Sequence, residues 1–198
     1  SARGARKLKT QSLVYLAPAN PAEAAARAKA QYDSATNMTD RQSALMVLCS
    51  LDVPEREVAL ADFHARFDGN MLVIDKWFSL QAGSLHADAT EHVKALSQHP
   101  DFTLTNPNRV RALWMAYAVN AQAFHHEGGE GYRLIADLIL ALDPINGNVA
   151  ARFVPPLGRW KKVDETRAAL MRAQLERIAA EPSLSRDVRE QVTKSLEG

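Results

Sequence analysis

The chain has 198 residues, enough for one large domain or two small ones around a hydrophobic core. Hydrophobic residues make up 46% of it and charged residues 24%, which is typical of an ordinary soluble globular protein. The formal net charge of +1 gives no general field for attracting nucleic acid or an anionic membrane surface. Neither of these is therefore an expected partner.

The chain has a single cysteine, Cys49, inside an apolar run. One cysteine excludes an internal disulfide and a zinc site made of four cysteines. We expect a buried thiol in a reducing compartment, and therefore a cytoplasmic location. No stretch approaches the ~20 consecutive apolar residues of a membrane span, and the N-terminus lacks a signal-peptide pattern.

The predicted elements are helical nearly throughout. The pattern starts at Ala5, with little room for an entry turn, as expected of a domain excised from a longer polypeptide. Leu8 and Leu16 belong to a first helix that ends at Pro18, and Pro21 starts an alanine-rich second one.

Asparagine, aspartate and proline mark the starts of the next predicted helices. These starts are Asn37 or Thr39, Pro54, Asn70 and Asp88, the last helix stopping at Pro100. Apolar residues follow each start at spacings of three and four, as on one face of a helix.

The second half of the chain continues the pattern. Asn106-Pro107 starts the best-marked helix, and residues 132–142 are apolar on nearly every side, which predicts a central, buried helix. Two more helices follow Pro156, the last capped by Ser183 or Ser185. About ten helices and no strand pattern predict an all-α fold, a right-handed α-solenoid-like stack of antiparallel helix hairpins in a single domain, 1–198.

The sequence has no recognisable catalytic motif. It lacks the His-Glu-x-x-His zinc motif, phosphate-binding glycine loops and a Gly-x-Ser-x-Gly elbow. His125 and His126 are adjacent, so they point in different directions on a helix and do not favour a shared metal. The glycines of residues 128–131 indicate a flexible connection, and Lys161-Lys162 indicates a solvated face. We expect no catalytic residue and no metal ligand in this chain.

Two predicted helix starts carry arginine where the helix dipole disfavours cations and favours anions. Arg109 and Arg111 follow the Asn106 cap, and Arg152 follows the Asn146 cap about one turn in. Such a conflict indicates a negative group nearby. That group is either a neighbouring acid, such as Asp101 or Asp143, or the carboxylate of a ligand.

Four segments of the sequence resemble the C-terminal domain of bacterial aminopeptidase N. They are Asp75-Lys76-Trp77-Phe78, Asn106-Pro107-Asn108-Arg109, Phe124-His125 with Gly131-Tyr132, and the closing helices from Asp164. The similarity runs from about Leu8 to the end of the chain.

The resemblance implies a parent enzyme that removes single residues from peptide N-termini. Its zinc would be held by a His-Glu-x-x-His helix and a distant Glu, and the substrate amine by a Gly-x-Met-Glu-Asn loop. Both motifs belong to a catalytic domain of the same polypeptide and are absent here. In this family the C-terminal domain is a helical solenoid that closes over the catalytic domain and encloses an internal chamber.

These two lines of argument give one hypothesis about binding. Arg109, Arg111, Asn148 and Arg152 are candidate substrate-binding residues that would line the chamber and orient the far, carboxylate end of a peptide. The competing hypothesis is a stand-alone helical-repeat scaffold for a protein partner, which the fold alone permits.

Overall fold

The computed structural model describes residues 2–197, with the backbone alone at positions 2, 3, 5, 6 and 7. The described residues form helices and connecting turns without a strand, so the all-α prediction is confirmed. The helices are α1 (Ala2–Ala19), α2 (Pro21–Ser34), α3 (Met38–Cys49), α4 (Pro54–Arg66), α5 (Met71–Ala82), α6 (Ala89–Leu96), α7 (Pro107–Val110, Arg111–Met115 and Ala116–Val119 in succession), α8 (Ala121–Phe124), α9 (Glu130–Ala151), α10 (Val154–Gly158), α11 (Glu165–Ala179) and α12 (Arg186–Glu197), with a 3-10 turn at Trp160–Lys162.

Asparagine side chains start many of these helices, because their oxygen accepts a backbone N–H that has no partner within the helix. The predicted caps Asn37, Asn70 and Asn106 all accept such a bond. Ser185 is confirmed as the cap of α12, since its hydroxyl accepts from Val188 N at 3.3 Å. Three further caps of this kind are Asn20, Asn120 and Asp164.

Two predicted helix ends are displaced. Helix α1 continues through Pro18 to Ala19, because a proline in the last turn removes one hydrogen bond without stopping the chain there. Helix α6 ends at Leu96, four residues before Pro100, where bonds such as His99 N to Leu96 O tighten the chain into turns.

One compact unit comprises residues 1–89. Helices α1 to α5 pack there in chain order, each against the next helix and the next but one. This is the contact pattern of a stacked helical repeat. Fully buried apolar side chains hold the stack together, among them Leu45, Leu48, Phe63 and Phe78.

A second compact unit comprises residues 90–198. Helix α9 packs against α10, α11 and α12, and its apolar stretch is buried as predicted. Gly128 and Gly129 have φ of +85° and +70° in the turn before it, a conformation that glycine adopts without strain. The chain thus divides into two compact units, and the single domain 1–198 stays a prediction.

Helix α9 changes direction at Asn146, whose φ of −158° and ψ of 89° are not helical. Asp143, buried just before this break, accepts hydrogen bonds from the backbone N (2.8 Å) and the hydroxyl of Ser185. Gly147 lies so close to Ser185 that an added Cβ would approach the serine Cβ within 2.8 Å. These contacts hold the chain on both sides of Asn146 against Ser185 at the start of α12.

By length and hydropathy, Glu130–Ala151 is the one helix among the described residues that could cross a membrane. Core helices of soluble proteins pass the same test, and 44% of its apolar window is buried inside the protein. Its break at Asn146 and its buried Asp143 fit the role of a core helix.

Cys49 is fully buried, as the sequence predicts. Burial disfavours the thiolate and raises the pKa of Cys49 to about 12. The side chain is therefore a packing group in α3 and is not an activated nucleophile.

Candidate anion-binding surface

The first predicted site lies at the start of α7. Asn106 Oδ1 accepts from the backbone N–H groups of Asn108 (3.1 Å) and Arg109 (3.2 Å). Arg109 itself is fully buried, and its Nη1 donates to the backbone carbonyl of Asp101 at 2.5 Å. The structure thus uses Arg109 to hold the preceding loop against the helix, through the backbone carbonyl of Asp101.

Arg111 differs from Arg109 because its side chain is exposed. Its Nη2 donates to Asn108 Oδ1 at 3.2 Å, and within the described part of the chain it forms no ion pair. Arg111 also begins the π-helical turn Arg111–Met115, and such turns are frequent at functional sites. Its guanidinium is therefore available to an external anion.

The second predicted site lies just after the break in α9. Asn146 accepts from Val149 N at 3.1 Å, which confirms it as a cap. Asn148 and Arg152 are both exposed, and Arg152 Nη2 donates to Asn148 Oδ1 at 3.4 Å. Among residues 2–197, Arg152 has no carboxylate within ion-pair distance, so Asp143 does not neutralise it.

Asn148 and Arg152 line an open hollow of about 300 Å³. The other walls include Asp187, Glu190 and Gln191 of α12. Neither Arg109 nor Arg111 lines it, so the four predicted residues are not brought together in one hollow. The acidic wall was missed from the sequence, because α12 lies more than thirty residues downstream and no local pattern links it to Arg152.

The charges in this hollow are partly compensated. Lys194 Nζ lies 2.6 Å from Glu190 Oε1, and this hydrogen bond lowers the pKa of Glu190. Among the described residues, Arg152 and Asp187 then remain as a cation and an anion without an ion-pair partner. A group that offers both a carboxylate and an N–H donor matches that combination, and the C-terminal residue of a peptide offers both.

The adjacent histidines are hydrogen-bonded to neighbouring residues. His125 Nδ1 is hydrogen-bonded to the hydroxyl of Tyr132 at 2.7 Å, and His126 Nδ1 to the carbonyl of Glu127 at 3.2 Å. Burial, and next the positive charge of Arg167, lower the pKa of His125. His125 is part of the packing around the start of α9, where its ring lies against those of Phe124 and Tyr132, whereas His126 is exposed.

Comparison with known proteins assigns the chain to a family of helical repeats. Residues 1–197 match the family described as a domain of unknown function (DUF3458_C) with ARM repeats, and the chain belongs to that family. The stacked helices of residues 1–89 fit this description.

The chain is similar to named aminopeptidases. It is 43% identical over 197 residues to aminopeptidase N of Caulobacter vibrioides, covering 99% of this chain and 23% of that protein. It is 41% identical over 167 residues to aminopeptidase N of Escherichia coli, covering 84% of this chain and 19% of that protein. The resemblance to the C-terminal domain of aminopeptidase N is confirmed.

A solved structure supports the same assignment. Legionella pneumophila aminopeptidase A, crystallised in complex with aspartic acid, superposes with a TM-score of 0.91 and 36% identity over 97% of this chain. That overlap covers 23% of the Legionella chain. The chain thus spans about a fifth to a quarter of the length of the relatives it matches.

Proposed function

We propose that this chain is the C-terminal helical domain of a zinc aminopeptidase that removes residues from peptide N-termini. The observation that carries the proposal is the similarity over nearly the whole chain to about a quarter of two aminopeptidases. The remaining length of such a protein has room for a catalytic domain, which would be this domain's partner. A cytoplasmic location belongs to the same proposal.

Zinc and bond cleavage are assigned to that catalytic domain. The sequence of this chain has no His-Glu-x-x-His motif, which would place two ligands and a general base on one helix. The adjacent histidines do not fit as ligands, because His125 and His126 are hydrogen-bonded to Tyr132 and Glu127. The chain by itself is therefore proposed to be inactive.

The domain's own contribution would be to enclose the active-site chamber and bind the far end of the peptide. Arg111, Asn148 and Arg152 support this role, because all three are exposed and neither arginine is paired with a carboxylate of the described chain. Arg109 would act indirectly, since it is buried and fixes the loop before Arg111. The stand-alone scaffold gains no specific support from the structure.

Kinetics of the parent enzyme test this role. Arg111→Ala and Arg152→Ala should each raise KM for short peptides several-fold and leave kcat nearly unchanged, because an ionic hydrogen bond of about 1–2 kcal/mol is lost away from the reacting bond. A small uncharged chromogenic amide should be hydrolysed as before. The measurement is KM and kcat for both substrates.

The control is the same peptide with its C-terminal carboxylate amidated. Wild-type enzyme should bind this peptide about as weakly as the variants bind the free acid. An equal loss on the peptide and the chromogenic amide would contradict the binding role, while leaving the assignment to an aminopeptidase intact.

A further inference from the structure

A second groove in residues 90–198 adjoins the hollow at Arg152 and differs from it in charge. It encloses about 410 Å³ between α10, the turn that follows it, and α12. All its ionisable wall residues are basic: Arg159, Lys161, Lys162 and Lys194. Nothing in the proposed function uses these residues.

Two of the four cations have no side-chain partner among the described residues. Lys194 is paired with Glu190 at 2.6 Å, and Lys161 lies over the Trp160 ring, 5.1 Å from its centroid. The side chains of Arg159 and Lys162 are exposed and make no hydrogen bond or ion pair with any described residue. Their charges are the ones that an external anion would neutralise.

The walls of the groove are held in place by direct contacts. Trp160 Nε1 donates to the backbone carbonyl of Ser195 at 2.9 Å. Gly158 packs so closely that an added Cβ would lie 2.7 Å from Ser195 Oγ. The turn that carries Arg159 and Lys162 is therefore fixed against α12 before any ligand arrives, which reduces the ordering cost of binding.

We propose that this groove binds an acidic polypeptide segment. The basic side chains would take its carboxylates, while Gln191 and Ser195 offer polar groups to its backbone. Pro155 and the methylene stems of the lysines supply apolar wall for side chains between the acids.

The same groove fits nucleic acid poorly. Bases are held by stacking on aromatic faces, and the Trp160 ring is already contacted by Lys161 and by Arg172, whose Cζ lies 5.4 Å from its centroid. The net charge of +1 adds no wider basic field. This inference does not depend on the proposed aminopeptidase role.

Fluorescence anisotropy with the 198-residue chain tests the proposal. The probe is a labelled peptide of alternating glutamate and alanine, and the comparison peptide has glutamine in place of glutamate. The variant Arg159→Glu/Lys162→Glu should weaken binding of the acidic probe at least about tenfold, because two attractive charges become repulsive. The control Arg133→Glu/Arg186→Glu makes the same charge change at exposed arginines outside the groove and should alter binding less than about twofold.

The milder pair Arg159→Gln/Lys162→Gln should weaken binding in the same direction, and circular dichroism checks that each variant keeps its helices. Equal binding of the glutamine peptide would overturn the proposal. So would equal weakening in the groove and control variants, or tighter binding of a single-stranded oligonucleotide than of the acidic peptide.

Discussion

Arg109 and Arg111 are two residues apart and have opposite environments. Arg109 is buried and bonded to the Asp101 carbonyl, whereas Arg111 is exposed beside Asn108. Sequence spacing identified both as cations at an unfavourable helix end but not which of them faces solvent. That choice depends on where residues 101–105 fold back, which no local pattern encodes.

The pKa of His125 provides a second prediction about a single residue. Its pKa is lowered by burial and, second, by the charge of Arg167, whose Nε donates to the His125 carbonyl at 2.8 Å. His125 therefore binds a proton more readily in the unfolded chain than in the folded one. The contribution of His125 to the free energy of unfolding is therefore fully present above the ordinary histidine pKa of about 6.5. It is lost as the pH falls toward the lowered pKa of the folded state.

Arg167→Gln should raise the pKa of His125 and reduce the loss of stability between about pH 7 and pH 5. NMR titration of the His125 ring and urea unfolding at the two pH values are the measurements. Arg167→Lys keeps the charge and should shift the pKa much less. A pKa of His125 that is the same in wild type and the glutamine variant would show that the arginine charge has no such effect.

At the scale of elements, much of the fold was predictable because its signals are local. Asn37, Asn70 and Asn106 cap helices through bonds that span two or three residues, so a short sequence window contains them. The buried stretch of α9 was also visible, since its apolar residues cover nearly every side.

Other features of the elements were not predictable. The π-helical turn at Arg111–Met115 has no sequence marker, and the acidic wall beside Arg152 comes from α12, far along the chain. Contacts of this kind depend on tertiary packing. The candidate site was therefore predicted residue by residue, while its grouping and its charge balance required the structure.

A partly buried hydrogen bond between helices α2 and α4 can be tested. The Tyr32 hydroxyl, on a side chain that is 2% exposed, donates to Asp62 Oδ2 at 2.7 Å. Asp62→Ala should lower the free energy of unfolding by about 1–3 kcal/mol, because it leaves that hydroxyl without its acceptor. Urea denaturation measures the change.

Asp33→Ala is the matched control on the exposed surface. Asp33 forms an ion pair with Lys29 one turn away on α2. Loss of this pair should lower the free energy of unfolding by less than about 0.5 kcal/mol. In a Tyr32→Phe background the cost of Asp62→Ala should shrink, since no hydroxyl remains to be satisfied. An unchanged cost in that background would mean that the tyrosine bond is not the source of the loss.

For the whole molecule, the proposed function places peptide binding in this chain and catalysis in another domain. The chain has a family assignment, two capped helix starts with exposed arginines and a basic groove, yet its sequence lacks the motifs that hold zinc and the substrate amine in the resembling family. A helical domain of this kind would influence which peptides reach a catalytic centre without cleaving them itself.

The most direct test of that separation is an aminopeptidase assay on the purified 198-residue chain with zinc supplied, run beside the parent enzyme on the same aminoacyl anilide. We expect the parent enzyme to hydrolyse the substrate and the chain alone to release no product above the buffer rate. Hydrolysis by the chain alone, abolished by a chelator and restored by zinc, would contradict it.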